Sequence, residues 1–372
     1  MQKKLVCLGL MSGTSGDGVD ASIVKTDGLN SCELIKDKYY EYDLEIYRDI
    51  HNLKEKIHKA EHLLTYRNEI DKLEREITLF QAKIIKKLNL SDNTKIGFHG
   101  QTIYHNPKEG ISKQLGNAKL LNQLSNKTIV FNFRKNDILN GGEGAPLTPI
   151  FHQLLAKNNK IKLPVCFLNI GGISNITIVY NKDDPSKLIS RDIGPGNCLI
   201  DSWIRNNTNK KYDLNGQLAL SGTKNEIIFE QAQELYANRK NRKKMSFDTN
   251  DFDISFIRGL NLEDGVATLT DFTASIISEE LSFIIKNSTK AITEILLCGG
   301  GRKNKTLVKK IKEKLSQNIN LTLIDNYSID GDFIESQAFA FLAARSIMKL
   351  PISFPGTTGC KKPSLGGELI KN

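Results

Sequence analysis

Two short apolar runs joined by a glycine-rich turn occur twice in this 372-residue chain, near residue 10 and again near residue 170. In the first, residues 5–10 enter a turn carrying Gly13, Gly16 and Gly18 with the hydroxyls of Ser12, Thr14 and Ser15, and residues 19–24, from Val19 on, resume the apolar pattern. In the second, residues 165–170 reach Gly171 and Gly172, and residues 173–180 return as a strand. Each pattern predicts a hairpin whose turn exposes backbone N–H groups with little side chain in front of them, a concavity suited to an anion. Asp17 and Asp20 add carboxylates that can hold a hydrated Mg²⁺ against a bound phosphate or orient a sugar hydroxyl. A tight turn without ligand is the plainer reading of either hairpin taken alone. The Walker pattern is absent, since no Gly-Lys-Ser/Thr follows. The Gly-x-Ser-x-Gly elbow also fails, because Asp17 stands where its last glycine is needed.

A chain of this length exceeds one core, so two domains are expected. With 39% hydrophobic and 25% charged residues the composition is that of a globular protein and excludes extended disorder. No run approaches a membrane span. The opening MQKKLVCLGLM has too short an apolar run for a signal peptide and lacks an A-x-A-like site, so it is read as a buried strand. Six scattered cysteines without C-x-x-C spacing are expected as reduced thiols of a cytoplasmic protein. The formal charge of +10 is spread through lysines along the whole chain. The dense basic run at residues 239–244 has no interleaved aromatics for base stacking, so neither nucleic acid nor membrane is expected as a partner.

Along the chain, residues 32–42 extend the first sheet, and apolar positions Ile70, Leu73, Ile77, Phe80, Ile84 and Leu88 predict a helix over 65–88. His58 and His62 have the spacing of two ligands on a helix, but with no third ligand they are read as a solvated face. A strand over 95–98 delivers His99, Gln101 and their neighbours in HGQTIYH at its end, a set suited to a polyol or amide ligand or to a hydrogen-bonded turn. A strand over 128–133 ends at Arg134 and Asp137, before the glycine-rich GGEGAPLTP and a helix beginning at Pro149. Asp192 is expected to end a strand beside the rigid turn Gly194-Pro195-Gly196, with Asn197 capping the next helix. Helices are predicted over 224–236, 264–287 and 333–349. A strand over 294–297 empties into Gly299, Gly300 and Gly301, with a helix from Lys305, where a phosphate or flat ligand can approach the backbone.

Seven segments, in order, resemble the anhydro-N-acetylmuramic acid kinase family of the actin-like ATPase and sugar kinase superfamily. They are GLMSGTSGDGVD, HGQT, Arg134 with GGEGAPL, NIGGISN, DIGPGN, CGGGRKN, and ESQAFAFLA followed by PGTTG, and they run from Gly9 to Gly359. The resemblance implies an α/β protein with the two-domain actin-like, duplicated ribonuclease-H-like fold and ATP in the interdomain cleft. The domains expected are residues 1–134, completed by 350–372, and residues 135–349. The implied reaction uses ATP, Mg²⁺ and water to open the 1,6-anhydro ring of the amino sugar and phosphorylate O6, giving N-acetylmuramic acid 6-phosphate and ADP. This is a step of peptidoglycan recycling in the cytoplasm, with a homodimer as the assembly considered.

By the same resemblance Asp192 is the general base that activates water. Gly13, Thr14, Ser15, Gly16, Asp17, Gly18, Val19 and Asp20 cradle the phosphates, with Asp17 as the metal-side carboxylate. Gly171 and Gly172 form a second phosphate loop, and Gly299, Gly300 and Gly301 lie near the nucleotide's other end. His99, Gln101, Arg134 and Glu335 are assigned to the sugar side or its support. The sequence departs from the family pattern at Gly16 (usually leucine), Glu143 (more often glutamine), Ile193 (usually threonine) and Met245 (within a usual Pro-Lys-Ser). Gly16 is expected to loosen the first loop, and Ile193 to remove a hydroxyl near the phosphates. A diverged sugar kinase of the same fold, or a non-catalytic actin-like ATPase, are the alternative readings.

Overall fold

The computed structural model describes residues 4–239 and 245–371. Residues 240–244 of the basic run lie outside them. By its internal contacts the chain forms two compact units, one of Met1–Ile161, Asn181–Ile189 and Phe333–Asn372, the other of Lys162–Tyr180 and Ser190–Asp332. These limits differ from the expected boundaries in giving residues 135–161, 181–189 and 333–349 to the first unit.

In the first unit, β1 (Leu5–Ser12), β2 (Gly18–Thr26) and β3 (Cys32–Glu41) form an antiparallel meander. Then β4 (Lys95–Asn106) and β6 (Ile129–Phe131) add parallel to β1, while β5 (Ile111–Leu115) folds back on β4. In the second unit, β7 (Val165–Ile170), β8 (Ile173–Val179) and β9 (Leu188–Pro195) lie side by side. β10 (Glu294–Cys298) and β11 (Asn320–Leu323) add parallel to β7. β12 (Glu368–Ile370) closes the far edge of the first sheet. Among the described residues the two sheets read β12-β6-β4-β1-β2-β3 and β11-β10-β7-β8-β9. A three-strand meander followed by two parallel strands on the other side of its first strand is the ribonuclease-H-like order, and it occurs twice. This is the duplicated α/β fold that the sequence echo implied.

Parallel neighbours need crossovers, and helices supply them. The helix Arg67–Leu88 buries Ile70, Leu73, Ile77 and Ile84 against the first sheet, and Asn89 ends it in the left-handed conformation at φ 48°. The helix Ile334–Ile347 is buried along nearly its whole length and lies on the first sheet. It comes that close because β1 and β4 carry glycine beneath it. A Cβ on Gly9 would sit 1.9 Å from the Ser336 carbonyl oxygen, and one on Gly97 would sit 2.3 Å from that of Phe339. The Ser22 and Ser336 hydroxyls then meet at 2.6 Å, and Gln337 Nε2 donates to Asp37 at 2.8 Å.

Two boundaries expected from sequence move. The HGQT segment lies inside β4, because its backbone goes on pairing with β1 and β5, so His99 and Gln101 are not at a strand end. Likewise Asp192 lies inside β9, which continues through Gly194 and Pro195 instead of turning there. None of the six cysteines is in a disulfide. Among the described residues no helix is long and apolar enough to cross a membrane.

Candidate active site

In the first unit the turn between β1 and β2 rests on a buried amide. The Ser12 hydroxyl reaches the Gly18 carbonyl at 2.8 Å and Gln101 Oε1 at 2.6 Å, while Gln101 Nε2 donates to the Gly13 carbonyl at 2.9 Å. Gln101, expected on the sugar side or as its support, thus braces the turn between β1 and β2. From outside, Lys54 Nζ donates to the Thr14 carbonyl at 2.8 Å, His51 Nε2 to that of Ser15 at 2.9 Å, and Tyr42 N to that of Asp17 at 2.9 Å. Thr14 and Ser15 are exposed, and Asp17 is half-buried with the Ser15 hydroxyl on its Oδ1 at 2.6 Å. Val19 is placed differently: its side chain lies in the core. Asp20 follows on β2, half-buried. Gly16 does not leave this loop without support, since its N–H closes on the Gly13 carbonyl at 3.2 Å and its φ is +62°.

Also in the first unit, Arg134 Nη2 donates to His99 Nε2 at 2.9 Å and its Nη1 to the Gly144 carbonyl at 2.8 Å. A guanidinium only donates, so Nε2 must accept, and His99 Nδ1–H then donates to the Gly100 carbonyl at 2.8 Å. Burial, with the Arg134 charge beside it, drives the His99 pKa from 6.5 to about 3. The ring is a neutral acceptor that orients Arg134, and it is unsuited to proton transfer near neutral pH. Glu335 is half-buried in the first turn of the helix Ile334–Ile347, aligned by that helix's seat on the sheet.

The second unit brings three sequence motifs together. The Gly171 carbonyl accepts from Asn197 N at 2.8 Å, and the Gly172 carbonyl accepts from Gly196 N at 2.8 Å and Cys198 N at 3.1 Å. The end of DIGPGN is thereby laid across the β7–β8 turn. Asn197 stands at the start of the helix Cys198–Asn207, but its side chain makes no capping bond; the main chain makes the link instead. Upstream, buried Asp192 donates its N–H to the Met245 carbonyl at 2.8 Å and accepts the Phe247 N–H on Oδ2 at 2.7 Å. Because Met245 contributes its carbonyl, the side-chain departure at that position leaves the link intact. Ile193 lies in the apolar core with Leu168 and Ile170.

Sequence reading missed Arg302, which locks the glycine triplet. Its guanidinium makes a two-pronged pair with Asp325 at 2.8 Å on both arms, reaches Asp332 at 2.5 Å, and donates to the Gly299 carbonyl at 3.1 Å. The bond from Arg302 is the main reason the Asp325 carboxyl titrates below its ordinary range. A lone arginine directly after three glycines was the available signal. The triplet itself divides. A Cβ on Gly299 would lie 2.2 Å from Asn169 Oδ1, and one on Gly301 2.3 Å from Ile170 Cγ2, whereas one on Gly300 meets nothing within 4 Å. Gly299 and Gly301 are thus demanded by the fold, and Gly300 is not.

The family model described as "Anhydro-N-acetylmuramic acid kinase" matches residues 5–371. A curated relative of that name from Pelagibacter ubique is 53% identical over 100% of both chains. Relatives of the same name from Zymomonas mobilis, 34% identical over 98% of this chain and 99% of its own, and from Agrobacterium fabrum, 33% identical over 98% of each, agree. Among solved structures, the activator of the 2-hydroxyisocaproyl-CoA dehydratase from Clostridium difficile with bound ADPNP aligns over 93% of this chain and 96% of its own. With a TM-score of 0.41 and 10% identity, that likeness is too loose to assign anything further.

Gly300→Ala is expected to fold with stability within about 0.5 kcal/mol of the parent. Gly299→Ala should cost about 1–3 kcal/mol through overpacking. Denaturant unfolding checks both, and a Gly300→Ala protein destabilised as much as Gly299→Ala would refute the division.

His99 and His152 are both buried, with pKa values lowered from 6.5 to about 3 by burial first of all. The unfolded chain takes up these two protons below pH 6.5 and the folded chain does not until about pH 3. Their contribution to stability is therefore complete above pH 6.5 and declines toward pH 3, by about 1.4 kcal/mol per pH unit for each fully titrating histidine. In unfolding measured between pH 7 and 5, His152→Gln should remove one of the two proton equivalents. An unchanged pH slope in that variant would contradict the assignment.

Proposed function

The chain belongs to the anhydro-N-acetylmuramic acid kinase family, and from that premise we propose how its residues divide the work of opening a 1,6-anhydro ring and phosphorylating O6. It is a kinase, so one product carries the transferred phosphoryl group. With ATP as donor, water attacks C1 as the C1–O6 bond breaks. The water proton passes to Asp192, and O6 takes the γ-phosphoryl group as its bond to the β-phosphate oxygen breaks. The products are N-acetylmuramic acid 6-phosphate and ADP. Atoms and charge balance with one water consumed and one proton, held first by Asp192, released to solvent.

The observation that carries the base assignment is the placement of Asp192. It is buried on a strand, its N–H is tied to Met245, and Phe247 N holds Oδ2 at 2.7 Å. A carboxylate fixed in direction is what general-base catalysis requires. In the first unit, Gly13 to Asp20 are assigned to phosphate oxygens, in keeping with exposed Thr14 and Ser15 and braced carbonyls. In the second, Gly171 and Gly172 take that role, and open Gly300 is assigned to the nucleotide's other end, with Gly299 and Gly301 shaping the turn. His99, Arg134 and Glu335 are assigned to the sugar side, and Gln101 to its support.

Mg²⁺ belongs to the same proposal. Among the described residues no group of three or more His, Cys, Asp or Glu side chains is arranged to hold a metal ion. A Mg²⁺ ion that keeps its waters and binds substrate phosphates needs only one or two carboxylates. Half-buried Asp17, at the turn assigned to the phosphates, fits that need. The ion would neutralise phosphate charge there. A cytoplasmic location and a homodimer go with this family reading.

Asp192→Asn keeps an oxygen for the Phe247 N–H and should fold and bind nucleotide, while turnover falls by about 10²-fold or more. In ¹⁸O-water the parent should label the anomeric hydroxyl and leave the phosphate ester oxygen unlabelled, as read by mass spectrometry of product fragments. Near-normal turnover by the folded variant would remove Asp192 from the role. Phosphorylation of the open sugar alone, with the anhydro sugar untouched, would overturn the reaction.

A further inference from the structure

Two glycine-containing stretches, residues 141–147 and 355–359, stand out in the sequence and have no role in the scheme above. In the first unit they meet at one side chain. Asp137, wholly buried on the short helix Lys135–Leu139, accepts the Gly144 N–H on Oδ2 at 2.7 Å. Its Oδ1 accepts the hydroxyls of Ser353 at 2.5 Å and Thr358 at 2.7 Å. The Thr358 carbonyl in turn accepts the Glu143 N–H at 2.8 Å, and the Asp137 carbonyl accepts the Gly142 N–H at 2.9 Å. Gly142 has no space for a side chain, since a Cβ there would lie 2.2 Å from Asp137 Oδ2.

Each of these donors to the carboxylate is neutral, so the bonds fix a direction without forming a salt bridge. A buried carboxylate satisfied this way is costly to assemble and costly to disturb. The direction it fixes is passed on. Gly144 gives its N–H to Asp137 and its carbonyl to Arg134 Nη1 at 2.8 Å, and Arg134 Nη2 reaches His99 at 2.9 Å. Gly144 itself has φ +70°, and Ile138 and Arg134 leave no room for a Cβ, so it cannot be replaced by a stiffer residue.

We propose that Asp137 is a positioning residue for the sugar side of the reaction: by clamping Gly144 it aims the Arg134–His99 pair, and through Thr358 it pins the loop that carries Glu143. The role rests on the assignment of Arg134 and His99 to the sugar. It explains why the GGEGAPL and PGTTG stretches, more than 200 residues apart, occur in one chain: they supply donors to the same carboxylate.

The test compares Asp137→Ala, Asp137→Asn and Thr358→Val with the parent in steady-state kinetics, varying the anhydro sugar and ATP separately. Asp137→Ala should raise the sugar KM by roughly tenfold or more, the scale of a displaced binding group, and leave the ATP KM unchanged. Asp137→Asn, which keeps one acceptor, should recover part of that loss. Thr358→Val, isosteric and lacking one donor, should show the same selective effect to a smaller degree, and it carries the test if Asp137→Ala does not fold. Selective ¹⁵N-histidine labelling gives a second readout that needs no turnover. Of the six histidines, His99 should shift in Asp137→Asn and Thr358→Val while the others hold. Equal losses for both substrates with a lowered Tm, or an unmoved His99 resonance in the folded variants, would make Asp137 merely structural and overturn the proposal. If the parent left the anhydro sugar untouched, the reaction assignment would fall, and the His99 resonance would still decide whether Asp137 sets that pair.

Discussion

Main chain resting on main chain, at places where glycine removes the side chain, is the constraint on which both units depend. In the first unit it lets the helix Ile334–Ile347 settle on β1 and β4, where a Cβ on Gly9 would fall 1.9 Å from a carbonyl oxygen. In the second it lets the end of DIGPGN cross the β7–β8 turn, where a Cβ on Gly196 would fall 2.2 Å from the Gly171 carbonyl oxygen. Overlaps of that size cannot be relieved by rotating a side chain, so the backbone would have to move. The rest of each unit is built outward from those contacts. Glu335 takes its place from the first, and the helix Cys198–Asn207 takes its start from the second.

The polar groups of the candidate site differ in what burial does to them, and that difference sorts their roles. His99 is neutralised by desolvation and serves as an acceptor. Arg302 keeps its charge because Asp325 and Asp332 surround it, and all of that charge is spent on shape. Asp137 is satisfied by three neutral donors from two segments far apart in sequence and so holds those segments in register. Asp192 is tied to the main chain at Met245 and Phe247, which fixes the direction of a carboxylate whose proposed work is proton transfer.

The sequence departures from the family pattern look different once placed. Gly16 fits a left-handed turn packed against Ile50, and its loop is held by Lys54, His51 and Tyr42. Ile193 fills core volume, and Met245 acts through its carbonyl. In each case the main chain or the core carries the interaction, so the change of side chain touches the chemistry less than its position in a motif suggests.

Several features follow from the sequence alone. Short apolar runs on either side of the glycine turns at Gly13 and Gly171 mark two equivalent hairpins, and the three- and four-residue spacing of Ile70, Leu73, Ile77 and Ile84 marks the long helix, because local sterics and burial act over a few residues. The order of seven motifs gave the family. Strand ends at His99 and Asp192 were misjudged, since whether β4 and β9 continue depends on partners far away in sequence. The same holds for Gln101, which bonds to Gly13 across 88 positions, and for Asp137, whose donors lie 216 and 221 positions away. Residue type announces that an amide or a carboxylate can be satisfied. Only the tertiary structure decides which group satisfies it, because a hydrogen bond is set by direction and a distance of about 3 Å, and neither is written in sequence spacing.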